Sequence, residues 1–225
     1  MHTFLVLPAL LATALAKAVI LEEVLTAPSG YVYALDLAVP VSFSAFSCMK
    51  TSGYSTVFVR GYDPTGNGRF DTNSVNNIRN ANKAGLGSEV YMTPQPHSNK
   101  NGATQFRELY EGLRNGKIQV RTVWLQVTSP VNWGPNSQAN INFLNDIVSM
   151  AKANFNDFRA FAKFTKATVK QFAQVENVCG VTVNRDVYTV NRSKNLIASQ
   201  EERSSDEVIV GALGDDHLSN AVQIV

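Results

Sequence analysis

Cysteine and histidine are scarce: two cysteines and three histidines in 225 residues. Two cysteines without a clustered histidine set do not make a zinc site, so no metal and no cofactor is expected. His2, His97 and His217 stand far apart in the chain, beside no Ser/His/Asp or Cys/His grouping, which removes support for protease-type nucleophilic catalysis. Charge is also sparse. Charged residues are 17% of the chain and the net charge is only +2, too little to argue for nucleic acid or an anionic membrane as partner. There is no Lys/Arg block with interleaved aromatics. No apolar run after the first residues reaches the roughly 18 needed to span a membrane. Cys48 and Cys179 either pair, closing a long loop worth roughly 4 kcal/mol or more, or remain two small buried residues that never meet.

What is present begins with "MHTFLVLPALLATALAKA". Phe4 to Ala16 is a short apolar core, and Ala14-Leu15-Ala16 fits the small-x-small cleavage pattern. Residues 1–16 are therefore expected to be a signal peptide, with Lys17 or a near neighbour starting a secreted chain. The other end is polar. Residues 191–225 read as a weakly ordered tail or an appended helix, and Asn191-Arg192-Ser193 is a glycosylation sequon.

Between these ends strands and helices alternate. "YVYALDL" (31–37), "TVFVRGY" (56–62), "EVYMTP" (89–94) and "VRTVWLQVTSPVNW" (120–133) carry strand patterns, the last stopped by Ser129 and Pro130. "SFSAFSCMKTSGY" (42–54), "TNSVNNIRNANKAG" (72–85), "ATQFRELYEGL" (103–113) and "NINFLNDIVSMAKA" (140–153) carry helical spacing, with Ser42 and Thr72 or Asn73 as N-cap candidates and Gly53 and Gly85 as stops. Such repeats predict a parallel α/β sheet or barrel, whose chemistry sits at the carboxyl ends of the strands. The rhythm breaks at "NFNDFRAFAKFT" (154–165), after which "TVKQFA" (168–173) and "VCGVTVNRDVY" (178–188) read as two more short strands. "DPTGNGRFD" (63–71) has partial calcium-loop register, but Ser74 stands where the bidentate Glu belongs, so a Gly-rich connection is the better reading.

Gln126 and Thr128 are two apart, so they share one face at the end of a buried strand. Many enzymes keep acids in such a place, and these two residues are uncharged.

The stretches "YALDLAVPVSFSAFSCMKTSGYSTVFVRGY" (33–62), "NNIRNANKAGLGSEVYMTPQP" (76–96), "TVWLQVTSPVNW" (122–133) and "KQFAQVENVCGVTVNRDVY" (170–188) resemble the glycoside hydrolase family 25 lysozymes, in the branch known from nematodes and amoebae. The resemblance covers residues 31–190. It implies an irregular TIM-like (β/α) barrel finished by antiparallel strands, and a muramidase chemistry on the β-1,4 bond of peptidoglycan. That reaction needs a proton donor and an ionised carboxylate.

Carried over by position, the first-strand acid of the family is Asp36. The family's Asp-x-Glu pair falls on Gln126 and Thr128, and its last-strand Asp falls on Asn184. Asp186 lies two residues on, at a position that is Asn in most of the family. The resemblance therefore implies degenerate catalytic positions at 126, 128 and 184, with Asp36 the matched acid that remains. Gln and Thr hydrogen-bond a sugar but have no carboxyl with which to protonate it. Tyr62, Tyr91 and Trp133 are candidates for stacking on glycan. Two further departures stand out. A long family segment carrying about two barrel strands is missing after Ala153, and the family cysteines of the third-strand loop are replaced by Gln95 and Ser98.

The implied function is a secreted, extracellular lysozyme-like protein of innate antibacterial defence, placed in the intestinal lumen or in secretory or lysosome-related vesicles. It would bind bacterial cell-wall glycan as a monomer, with weak or no hydrolysis. The alternatives are an active muramidase using Asp36 with Asp186 or another acid, and a non-functional or regulatory truncated isoform.

Overall fold

A computed structural model describes residues 30–127, 132–154, 169–189 and 207–211, and the backbone of 221–224. The segments that follow Gln126-Val127 and Asn154, the signal region, Thr128 and the sequon at Asn191 lie outside the described residues.

The first strand, β1 (Tyr31–Leu37), is followed by α1 (Phe43–Thr51), β2 (Tyr54–Asp63), the short β3 (Arg69–Phe70), α2 (Asn73–Lys83), β4 (Gly87–Met92), α3 (Gly102–Asn115), β5 (Ile118–Val120), β6 (Thr122–Leu125) and α4 (Ser137–Asn154). Then come β7 (Val169–Val178), β8 (Val181–Thr189), β9 (Val208–Val210) and β10 (Ala221–Ile224). The main sheet runs β10-β6-β4-β2-β1-β8-β7, with β3 paired to β2. From β1 to β10 the pairings are parallel, while β8 is antiparallel to β1 and to β7. Among the described residues the sheet does not close, and β10 and β7 are its edges. This is an open, irregular version of the predicted barrel.

Local chemistry explains the elements. The Ser42 hydroxyl accepts from the Ala45 N–H at 3.2 Å and starts α1; Gly53, at φ +95°, ends it in a conformation that suits glycine. Thr72 does not cap α2 through its side chain; the Asp71 carboxylate does, accepting from the Asn73 N–H at 3.1 Å. Asn101 caps α3 through the Thr104 N–H. A Cβ on Gly102 would lie 2.3 Å from the Phe143 carbonyl, so glycine permits the close crossing of α3 and α4.

Alternation sorts the strands into two faces. Leu35, Leu37, Val57, Val59, Val90, Met92, Val123 and Leu125 pack outward against Phe46, Met49, Ile78, Ala81, Phe106, Leu109 and Leu113 of the helices. Ala34, Phe58, Tyr91, Trp124 and Tyr188 form a separate inner cluster. The near-continuous apolar strands follow from this covering on both sides.

Two expectations change. The predicted strand 178–188 is broken by a two-residue turn. Cys179 and Gly180 have φ of +53° and +76°, the signature of a type I′ hairpin that joins β7 to β8. The C-terminal stretch is not uniformly a loose tail either. Val208–Val210 pairs in parallel with β5, and Ala221–Ile224 with β6. Val210 is 1% exposed, and the Gly211 N–H donates to the Ser88 carbonyl at 3.0 Å. A run of three apolar residues is too short to distinguish from coil by pattern, but it satisfies an otherwise open strand edge. Cys48 at the end of α1 is bonded to Cys179 in the hairpin turn, with Cα atoms 6.0 Å apart.

Candidate functional site

The parallel strands β1, β2, β4 and β6 end on one side of the sheet, and the β7–β8 hairpin folds beside them. Their inner faces enclose a cavity of about 200 Å³. Asp36, Phe58, Tyr91, Trp124 and Gln126 line it from the parallel strand ends. Val169, Gln171 and Asp186 line it from the hairpin.

Asp36 is held on both oxygens. Gln171 Nε2 donates to Oδ2 at 2.6 Å and Asn184 Nδ2 to Oδ1 at 2.8 Å. Burial nevertheless raises its pKa above the ordinary carboxylate range, because the two amide hydrogen bonds only partly offset the loss of water. Asn184 is the register partner of Asp36 across the antiparallel pair, and its own Oδ1 accepts from the Val175 N–H at 2.9 Å. Gln126 reaches the cavity rim with Oε1 accepting from the Thr93 hydroxyl at 2.6 Å. The site thus brings together three of the four positions that sequence reasoning assigned to family acids, and one of these three is a carboxylate.

Tyr91 lines the cavity and donates to the Leu37 carbonyl at 3.3 Å. Tyr62 does not join it. The register shift between Arg60 and Tyr62 places Tyr62 opposite Met92, on the helix-covered face. There it is 0% exposed, with its hydroxyl donating to Glu108 Oε2 at 3.0 Å, so it cannot stack on a sugar. Trp133 packs edge-on against Phe143 of α4, with centroids 6.1 Å apart, and is not among the residues lining the cavity.

Three side chains that sequence reasoning did not single out complete the wall. Phe58 and Trp124 meet edge to face at 5.3 Å, and the Trp124 indole N–H donates to the buried Glu89 Oε2 at 2.8 Å. Their signal was alternation: each lies two residues from a polar strand-end group, Arg60 and Gln126. Gln171 had no such signal, since its approach to Asp36 depends on the β7–β8 register.

Asp186 is 5% exposed and its Oδ2 has no hydrogen-bond partner among the described residues. Burial first and the nearby Asp36 charge second push its pKa up to about 7. No Lys, Arg or His lines the cavity among the described residues. Arg60, a basic group at the end of β2, is committed to Asp71 at 2.9 Å and Asp63 at 3.5 Å. The loop at 63–71 uses its acids internally: Asp63 accepts from Thr65 and Arg69. Among the described residues no three His, Cys, Asp or Glu side chains are grouped to hold a metal ion. No helix among them is long and apolar enough to cross a membrane.

A family model described as "Lysozyme-like protein 1" matches residues 27–154. Lysozyme-like protein 1 of Caenorhabditis elegans is 43% identical, covering 85% of this chain and 82% of the relative. That alignment runs over 245 positions, longer than the 225-residue chain, so part of the relative has no counterpart here. A probable GH family 25 lysozyme of Dictyostelium discoideum is 25% identical over 75% of this chain and 94% of its own. Among solved structures, a family GH25 lysozyme from Aspergillus fumigatus superposes with a TM-score of 0.56 at 14% identity, over 72% of this chain and 95% of that one. A bacterial lysozyme from Streptomyces coelicolor gives 0.53 at 18% identity, over 73% and 95%. The structures share the fold and the curated relatives share the sequence, and the chain belongs to the lysozyme-like proteins of glycoside hydrolase family 25.

Proposed function

We propose that this protein is a secreted, antibacterial lysozyme-like protein that binds glycan of the peptidoglycan type with weak or no muramidase turnover. The observation that carries this reading is the state of the cleft. Asp36 remains at the strand end, but both its oxygens are held by the amides of Asn184 and Gln171, and Gln126 is bound to Thr93. Neither amide can deliver a proton to a glycosidic oxygen, and losing a general acid removes roughly 10²–10⁴-fold in rate. What stays is suited to holding a sugar: an aromatic wall of Phe58 and Trp124, amide groups, and one carboxylate acceptor. The Cys48–Cys179 bond supports an extracellular setting, since such bonds persist in oxidising compartments.

A second reading has one observation in its favour. Asp186 shares the cavity with Asp36, and two carboxyls in one cleft are the minimum for glycoside hydrolysis. The deciding experiment is release of reducing ends from purified peptidoglycan by the folded, secreted protein, with co-sedimentation scored on the same samples. Binding without new reducing ends is the expected result. Turnover that Asp36→Asn abolishes would replace the binding reading with an active muramidase.

A further inference from the structure

We propose that Asp186 is the hydrogen-bond donor of the cleft, a neutral carboxyl that presents its proton to the acetamido carbonyl of a bound N-acetylhexosamine. This rests on the glycan-binding reading and adds the residue and the sugar group that give it selectivity.

The geometry leads there. Asp186 stands directly across from Ala34 and diagonally from Asp36 in the antiparallel β1–β8 pair. Asp186 lines the cavity opposite the small Ala34 side chain. The other polar side chains of the wall each have a partner. Asp36 accepts from two amides, Gln171 donates to Asp36 and accepts from Gln174, Gln126 accepts from Thr93, and Tyr91 donates to Leu37. Asp186 Oδ2 alone among these is buried and unpartnered within the described residues. A buried polar atom left without a hydrogen bond is unfavourable, and a ligand acceptor would recover that loss.

The charges around it decide which acceptor. The titratable groups on the inner faces are Asp36 from β1, Tyr91 and Glu89 from β4, and Tyr188 on its own strand. β7 contributes the neutral Gln171, and Arg60 of β2 is paired with Asp71 and Asp63. With acids nearby and no cation lining the cavity among the described residues, a carboxylate or phosphate ligand is disfavoured and an uncharged carbonyl is favoured. Phe58 and Trp124 supply an apolar surface for the acetamido methyl, and Asp36 supplies an acceptor for its N–H. The donor exists only while Asp186 holds its proton, so burial and the Asp36 charge, which lift its pKa to about 7, keep it available through mildly acidic pH.

The test is titration calorimetry of the intact disulfide-bonded protein with tri-N-acetylchitotriose from pH 5.5 to 8.5, using cellotriose as the ligand without acetamido groups. The wild type should bind chitotriose about tenfold more weakly at pH 8.5 than at pH 5.5. Asp186→Asn, which keeps a donor and cannot ionise, should hold the acid-side affinity across the range. Asp186→Ala should bind weakly at every pH. A flat wild-type profile, or an Asp186→Asn profile that still falls with pH, overturns the proposal, as does equal affinity for cellotriose. Absence of chitotriose binding at every pH also overturns it; peptidoglycan sedimentation then reads separately whether the glycan-binding function stands.

Discussion

Removing the Cys48–Cys179 bond tests how the cleft is held. The two residues are 131 positions apart, and a bond closing a loop of that length restricts the unfolded chain by about 5 kcal/mol in the entropy model. The bond fastens the turn of the β7–β8 hairpin to the end of α1. Otherwise the described part of the hairpin is held to the sheet through the β8–β1 pairing. Gln171, Asn184 and Asp186 all sit on that hairpin, so the same bond steadies the partners of Asp36. For a chain of this size each kcal/mol corresponds to about 2–4 °C in Tm, so the Cys48→Ala/Cys179→Ala double variant should melt roughly 10–20 °C lower. The assay is a circular-dichroism melt at pH 6, with mass spectrometry under non-reducing conditions to verify the bond in the wild type. A double variant that melts within about 3 °C of a verified oxidised wild type would refute the argument, because the loop term alone predicts several times that shift. Glycan affinity should fall with it, at temperatures where the variant is still folded.

Restoring the family acids with Gln126→Asp and Thr128→Glu should raise reducing-end release by roughly 10²-fold or more if the cleft still seats its substrate. No gain in a folded variant that binds glycan would locate the defect in the segment that this chain lacks. Stability should depend on pH through Asp186. Its folded-state pKa is raised to about 7, so between the ordinary carboxylate range and that value the folded protein holds a proton that the unfolded chain has released. Its contribution is therefore present at low pH and is lost as pH rises toward 7, by on the order of 4 kcal/mol, and urea midpoints for Asp186→Asn should show that slope removed. Ending the chain at Asp206 would delete β9 and β10. Losing the Val210 side chain from the core alone removes about 2 kcal/mol, and a lower urea midpoint with new self-association is expected from the opened β5 and β6 edges.

The sequence made the first half of the fold readable because its periods are long and its stops are explicit. The polar face of α2 and the Phe106, Leu109, Leu113 face of α3 are unambiguous, and Ser42 and Gly53 bound α1 by chemistry that the structure uses. Readability failed where the controlling fact was a register. Tyr62 looked like a strand-end aromatic, but one irregularity in the β2–β4 pairing turned it to the opposite face. Gln171 reaches Asp36 only because β7 runs antiparallel beside β8 with two further register shifts, which no local pattern encodes. The short β9 and β10 escaped for a related reason: strands of three or four residues become strands because an edge is waiting for them. Of the site, spacing placed Gln126 at a strand end and the family resemblance pointed to Asp36 and Asn184, while the aromatic wall and the weight carried by Asp186 required the inner face to be assembled.

That assembly also constrains any attempt to rebuild the enzyme. Asp36 and Asp186 are diagonal neighbours in an antiparallel pair, about 7–8 Å apart at their backbones. At that distance two negative charges repel by about 2 kcal/mol at an effective dielectric of 20, which adds to the larger effect of burial in raising Asp186 to about 7. Gln126 lines the same cavity without adding charge, and the neutral Asn184 amide donates to Asp36. An acid introduced at position 126 would therefore raise Asp36 and Asp186 further before it served as a catalyst. The neutral Gln126 and Asn184 and the acid at position 186 are best understood together. They leave a cleft with one firmly held carboxylate, one carboxyl proton and no cation among its described lining, an arrangement that favours uncharged sugars. Restoration of the Asp-x-Glu pair should consequently gain more in the Asp186→Asn background than in the native one, and a double-mutant cycle on reducing-end release measures that coupling directly.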